Sequence, residues 1–154
     1  RDFPNDRPIV GVSASCVGYI KKRYEELFYN TASHLEYKRL VRNIFEFTDF
    51  LVNKINIMNF GAEFNHKVVY QDTCCSLREL GLKDEGRKLL SNVKGIEILE
   101  MKYPEVCCGF GGGFFSIQHE AISVAMAERK IKDAMATGAE IYCHKRYFLS
   151  DAIG

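Results

Sequence analysis

The stretch VCCGFGGGFFS, residues 106–116, places two adjacent cysteines directly before a run of glycines. A second adjacent pair, Cys74-Cys75, lies in the stretch QDTCCSLREL, residues 71–80. Neighbouring cysteines seldom bond to each other, because a vicinal disulfide strains the backbone. They suit a polynuclear iron–sulfur cluster, which needs several thiolates converging from different loops. The pattern therefore predicts a cysteine-ligated redox cofactor.

Around these pairs, short apolar runs alternate with helical patterns. Strands are predicted at residues 8–12, 67–70, 96–99 and 139–142. A first helix is predicted to end near Phe28, and three further helices are predicted at residues 35–57, 84–90 and 117–135. In the predicted helix 35–57, apolar residues recur at spacings of three or four, at Leu40, Ile44, Phe47, Leu51 and Ile55. The order predicts an α/β fold with a mainly parallel sheet flanked by helices.

The cysteines follow the predicted strands or lie in strand-to-helix loops, which places Cys16, Cys74, Cys107 and Cys143 at strand carboxyl ends. In an open α/β sheet, these ends gather at one edge and form the binding crevice. Thiols that are dozens of residues apart are therefore expected to converge there, Cys74 lying within a few ångströms of Cys107 and Cys108.

The glycines Gly109, Gly111 and Gly112 precede a predicted helix. Backbone N–H groups at a helix start favour negative charge, and a thiolate-ligated cluster is anionic. A nucleotide-phosphate loop is excluded, because no Lys-Ser/Thr follows and no G-x-G-x-x-G is present. We therefore interpret these glycines as part of the cofactor site.

The composition limits the other function classes. Hydrophobic residues make up 47% and charged residues 27%, which is typical of a globular protein, and the net charge of +1 gives no reason to expect nucleic acid as a partner. No apolar run approaches a membrane span. Three disulfides are disfavoured, because small disulfide scaffolds are poorer in helix, so a cytoplasmic location with reduced thiols is expected. The polar start at Arg1, without Met, indicates the interior of a longer chain.

From Cys74 to Cys108 the chain reads C-x32-C-C-G, and this resembles the CCG cysteine-rich domain family. That family includes subunits of heterodisulfide reductase, glycolate oxidase and bacterial lactate utilization, and the chain is most similar to the last of these. The matching segments are residues 69–74, 77–80, 93–97, 107–112 and 135–140. The resemblance rests on the order of these five segments more than on the CCG motif alone.

The resemblance implies two such modules in tandem. Residues 1–30 are interpreted as the end of a first module, residues 31–66 as a helical connector, and residues 67–154 as a second module. Residues 143–154 do not match the family pattern, so the second module is truncated or divergent at its end. In such a fragment, an exposed edge would favour self-association.

The resemblance also assigns roles to the cysteines. Cys74, Cys107 and Cys108 stand at positions where the family binds its cluster, and Cys16 resembles the closing cysteine of the first module. Cys75 is a spare thiol or a ligand. Cys143, or His144 beside it, is either incidental or a replacement for the missing closing ligand.

The cofactor is expected to be a [4Fe-4S] cluster, which commonly needs four thiolates. Only three stand at recognised positions of the second module, so this chain is expected to hold an incomplete cluster, no cluster, or zinc in its place.

Three functions follow as hypotheses. The first is an electron-transfer subunit that works with partner subunits in oxidising L-lactate to pyruvate. The second is a disulfide reductase like heterodisulfide reductase, which usually keeps full C-x-x-C closures that this chain lacks. The third is a non-enzymatic structural zinc domain, which prefers short paired cysteine spacings.

Overall fold

The structure is a computed structural model that describes residues 7–144 and the backbone of residues 147–149. The chain divides into two compact units. Unit 1 contains the described part of Arg1–Met58 together with Cys75–Leu89, and unit 2 contains Asn59–Cys74 together with the described part of Leu90–Gly154. Most of the predicted divergent segment 143–154 lies outside the described residues.

Helices and strands alternate along the described chain. The strands are β1 (Ile9–Gly11), β2 (Ile44–Glu46), β3 (Lys67–Gln71), β4 (Glu97–Leu99), β5 (Ile141–His144) and β6 (Tyr147–Leu149). The α-helices are α1 (Ala14–Phe28), α2 (His34–Asn43), α3 (Phe47–Asp49), α4 (Glu85–Leu90), α5 (Gly113–Gln118) and α6 (Glu120–Met135). Two π-helical segments are π1 (Phe50–Lys54) and π2 (Cys75–Leu80).

Unit 1 is built on a two-stranded parallel sheet, in which β1 pairs with β2. The helices α1 and α2 connect these strands, as a parallel pair requires. Ser13 begins α1 by accepting a hydrogen bond from the Cys16 backbone N–H at 3.4 Å. The buried Tyr37 of α2 donates its hydroxyl to the carbonyls of Ile20 and Lys21, which ties the two helices together.

Unit 2 contains a four-stranded sheet in the order β4-β3-β5-β6. The first three strands are parallel, and β6 is antiparallel to β5. Val69 of the central strand is fully buried and packs with Met101, Ala134 and Ala139. Since Ala134 lies in α6, this helix covers the sheet and fixes one face of the core. The fold class predicted from the sequence, α/β with a mainly parallel sheet, is confirmed.

Two helix predictions were wrong in detail. Residues 35–57 do not form one helix, because Ile44–Glu46 is an extended strand paired with β1. Ile44 fits both the apolar spacing of a helix and a buried strand, and only its pairing partner decides between them. The helix predicted at 117–135 is two helices, separated at His119, whose backbone leaves the helical region (φ −127°, ψ 47°).

The last predicted strand is shifted by two residues. It covers Ile141–His144 instead of 139–142, so Cys143 lies inside β5 and not in the loop after it. Cys16 likewise lies in the first turn of α1. Cys74, Cys107 and Cys108 do lie in segments that follow strands, as predicted.

Candidate metal–sulfur site

The candidate site belongs to unit 2 and begins at the carboxyl ends of two neighbouring parallel strands. Cys74 follows β3 by three residues, and Cys107 and Cys108 lie in the segment after β4, which we call the CCG loop (residues 101–112). Because parallel strands end at the same edge of a sheet, both segments leave from one edge of unit 2.

Helix α6 holds the first part of the CCG loop. The Lys130 ammonium donates hydrogen bonds to the carbonyls of Tyr103 at 2.6 Å and Pro104 at 3.0 Å. Asp133, about one turn further along the same helix, accepts a hydrogen bond from the Tyr103 backbone N–H at 2.9 Å. Three backbone groups just before the cysteines are therefore fixed by two side chains of α6.

The same helix holds the loop just after the cysteines. Ser123 donates its hydroxyl to the Gly109 carbonyl at 2.8 Å. Gly109 is buried, with φ at +86°, and a Cβ there would come within 2.5 Å of the Ser123 carbonyl oxygen and 2.8 Å of the Met126 Cβ. A side chain at this position is excluded by both conformation and contact. Cys107 and Cys108 are thus fixed between two attachments to α6.

The thiol of Cys107 is also bonded within the loop. The Gly109 backbone N–H donates to the Cys107 Sγ at 3.4 Å. Cys107 and Cys108 are both half-buried, and Cys74 is exposed. A backbone donor aimed at a sulfur is the kind of contact that stabilises a thiolate.

Lys130 places a buried positive charge beside this loop. Only 3% of the residue is exposed. Burial lowers the pKa of its amine, whereas interactions with Asp133, Asp72, Cys108 and Cys107 raise it. The cation and the cysteines of the CCG loop are therefore electrostatically coupled.

A second polar group lies at the carboxyl end of β3. The Tyr142 hydroxyl donates to the Gln71 Oε1 at 2.6 Å, and the Gln71 Nε2 donates to the Asp72 carbonyl at 2.9 Å. Gln71 and Asp72 are buried. Burial first, and the charge of Cys108 second, raise the pKa of Tyr142, so it stays a neutral donor near the CCG loop.

Cys143 differs from the other thiols of unit 2. It is buried in β5, opposite Tyr70 of β3, and its neighbour His144 is opposite Gln71. Burial raises the pKa of the Cys143 thiol. A neutral buried thiol favours the incidental role that the sequence left open, although its role as a ligand stays a prediction.

Cys16 and Cys75 belong to unit 1. Cys16 is exposed on α1, and Cys75 is half-buried at the start of π2. The helix α1 packs against π2, where Gly18 lies close to the Glu79 side chain. Their predicted roles stay predictions: Cys16 as a closing ligand of a first module, and Cys75 as a spare thiol or a ligand.

The glycines after Gly109 are exposed. Gly111 and Gly112 have φ angles of +54° and +85°, and Gly112 precedes the six-residue helix α5. Their conformation favours glycine. Their predicted contact with a cofactor stays a prediction.

All six cysteines are free thiols. Within residues 7–144, no three His, Cys, Asp or Glu side chains stand close enough together to hold a metal ion. The expected convergence of Cys74, Cys107 and Cys108 into a ready ligand set is therefore not seen in this part of the chain. The chemistry of the donors nevertheless fits a metal–sulfur group, since a buried cation holds the loop that carries these thiols and a backbone N–H donates to one of them.

Sequence reasoning missed the polar residues that support the loop: Gln71, Ser123, Lys130, Asp133 and Tyr142. One signal was available for Lys130. The inward positions of α6 recur at helical spacing, at Met126, Ala127, Lys130 and Ala134. A lysine within such a row predicts either a buried charge or a helix that is rotated, and the structure shows the buried charge.

Comparison with known proteins finds a family model that covers the candidate site. The family model of the cysteine-rich domain CCG matches residues 68–146, which include Cys74, Cys107, Cys108 and Cys143. The chain belongs to the CCG cysteine-rich domain family. For this CCG protein, the match covers the strands β3, β4 and β5 and the helix α6 that holds the loop.

Curated relatives of this CCG protein include proteins named for lactate utilization. The chain is 37% identical over 140 residues to "Lactate utilization protein A 2" of Bacillus cereus strain Q1, covering 90% of this chain and 57% of the relative. It is 38% identical over 139 residues to "Lactate utilization protein A" of Oceanobacillus iheyensis, covering 90% and 56%. The chain therefore spans a little more than half the length of these relatives. No solved structure matches it.

None of the helices in the described part of the chain is long and apolar enough to cross a bilayer.

Proposed function

We propose that this CCG protein is an iron–sulfur electron-transfer subunit of an oxidoreductase system that oxidises L-lactate to pyruvate. The observation that carries the proposal is the CCG loop, in which two adjacent thiols are fixed by α6 beside a buried cation. The relatives named for lactate utilization support the substrate.

The proposed ligands are Cys74, Cys107 and Cys108, with Cys143 as a candidate for a fourth position. Cys16 is proposed as the closing ligand of a first module. When bound, an iron–sulfur cluster supplies one-electron transfer. The residues of this chain hold the thiols, place the Lys130 charge beside them, and fix the loop through Ser123 and Asp133. We propose that the chemistry on lactate takes place on partner subunits.

The free thiols support a reducing compartment, and we propose the cytoplasm. The cluster type is proposed as [4Fe-4S]. Zinc is the competing occupant, because thiolates without a complete cluster bind it readily.

The first prediction tests ligation directly. Anaerobic reconstitution with iron and sulfide is expected to give a brown protein whose cluster is incomplete, because only three thiolates stand at recognised positions, and Cys108→Ala is expected to lose most of the bound iron. Cys75→Ser, the matched control from the other cysteine pair, is expected to keep most of it. Iron and acid-labile sulfide are assayed per chain, together with the visible absorption spectrum.

Equal iron content in the wild type and Cys108→Ala would refute the ligand role of Cys108. A colourless protein with stoichiometric zinc after the same treatment would refute the electron-transfer proposal and favour a structural zinc domain.

A further inference from the structure

The side chain of Lys130 is a buried cation whose hydrogen bonds go to uncharged groups. Its ammonium donates to the carbonyls of Tyr103 and Pro104, and the residue is 3% exposed. Within the described residues, no carboxylate forms an ion pair with it. A buried charge is costly unless a group of opposite sign compensates it.

In the described part of the chain, two carboxylates, Asp133 and Asp72, act on Lys130 electrostatically without forming an ion pair with it. Asp133 accepts the Tyr103 N–H, and Asp72, which also interacts with Lys130, follows β3. Cys108 and Cys107 also act on Lys130 electrostatically. The two carbonyls that accept from Lys130 belong to the same loop as these cysteines and precede them by a few residues, so the hydrogen bonds hold the ammonium on the CCG loop.

The helix α6 carries a second lysine that is exposed and does not contact the CCG loop. Lys132 lies two residues further on, has a side chain that is 78% exposed, and faces Glu128 across one turn. The two lysines therefore share a helix and a charge, and differ in burial and in contact with the CCG loop.

We propose that Lys130 is a positioning residue that supplies the compensating positive charge for an anionic metal–sulfur group held by Cys107 and Cys108. This inference rests on the proposed function. A fixed positive charge beside the group favours the state with one more electron, and so raises its reduction potential. The same contacts keep the CCG loop on α6 before the group binds.

The experiment compares four reconstituted full-length chains: wild type, Lys130→Gln, Lys130→Arg and Lys132→Met. Glutamine removes the charge and retains an N–H donor for the loop carbonyls, and arginine retains the charge. Bound iron, far-ultraviolet circular dichroism and the midpoint potential are measured for each chain.

Lys130→Gln is expected to lower the equilibrium constant for reduction about tenfold, which is about 59 mV for a one-electron couple. Lys130→Arg is expected to stay near the wild-type potential, because it retains the charge. Lys132→Met is expected to have the wild-type potential, because the charge of Lys132 that it removes is solvated.

If loaded wild type and loaded Lys130→Gln have the same midpoint potential, the proposed role of Lys130 is refuted and the proposed function is not affected. Loss of the native circular dichroism in Lys130→Gln would show that the residue is structural, and would also overturn the inference. A wild type that binds no iron would refute the proposed function, and this inference with it.

Discussion

Cys143 and Cys74 are both free thiols of unit 2, and their surroundings give them different chemistry. Cys74 is exposed just after β3, where a metal can reach its thiol. Cys143 is buried inside β5, and burial raises the pKa of its thiol. Lys130 shows the same effect with opposite sign, since burial lowers the pKa of its amine. In both residues, burial disfavours the charged form of the side chain.

The second prediction concerns pH and Cys143. The folded protein keeps this thiol protonated above the pH at which the unfolded chain releases the proton, near the ordinary thiol pKa of about 8.5. The unfolded state then binds fewer protons, so the stability contributed by Cys143 is present below that pH and falls as the pH rises above it. Cys143→Ala in the metal-free protein is therefore expected to lose less stability than the wild type between pH 7.5 and pH 9.5.

The measurement is the free energy of unfolding in urea at both pH values under reducing conditions. Cys16→Ala, which removes an exposed thiol, is the control and is expected to follow the wild type. The same pH dependence in Cys143→Ala and wild type would show that the buried thiol does not contribute.

At the scale of elements, α6 organises the site. One of its faces contacts the core through Ala134, and side chains on neighbouring turns hold the CCG loop at Tyr103, Pro104 and Gly109. The sheet supplies the edge from which the loop departs, and the helix supplies its position. A loop fixed at both sides of the cysteines loses little further freedom when it binds a ligand.

The third prediction concerns the contact between the loop and this helix. Gly109→Ala places a Cβ against the Ser123 carbonyl and the Met126 side chain, at a φ of +86°. We expect it to destabilise the fold by about 1–3 kcal/mol, because it combines backbone strain with overpacking. Urea unfolding measures the change.

Gly113→Ala is the control, since its φ is not in the left-handed region and a Cβ there meets open space. It is expected to change the stability by less than about 1 kcal/mol. Similar losses in both variants would mean that the loop does not pack against α6 as described.

At the scale of the whole molecule, the chain divides into two units, and unit 1 contains a parallel sheet and unit 2 a mainly parallel one. The sheets and helices are held by backbone hydrogen bonds and by apolar cores such as that of Val69, Met101 and Ala134, and none of these contacts involves a metal. The interpretation of residues 1–30, 31–66 and 67–154 as two modules and a connector stays a prediction. Self-association also stays a prediction. The apolar side chains of Phe114 and Ile117, which are 75% and 81% exposed, would favour it.

The fourth prediction is that the fold survives without its metal. Removing iron from reconstituted protein with a chelator under reducing conditions is expected to leave the far-ultraviolet circular dichroism unchanged. The melting temperature is expected to fall only by the contribution of binding. Loss of cooperative unfolding in the metal-free chain, as in small domains that fold only around a metal, would contradict this.

The sequence by itself determined the α/β class, the strands at Ile9–Gly11, Lys67–Gln71 and Glu97–Leu99, and the CCG family, because apolar runs and the ordered cysteine motif are local signals. Only the tertiary structure decided that Ile44–Glu46 is a strand, since its helical spacing is overruled by pairing with β1. Only the tertiary structure, too, placed Cys143 inside a strand and brought Lys130 to the CCG loop. Burial and hydrogen bonds between distant segments depend on how elements pack, and no local pattern encodes that packing.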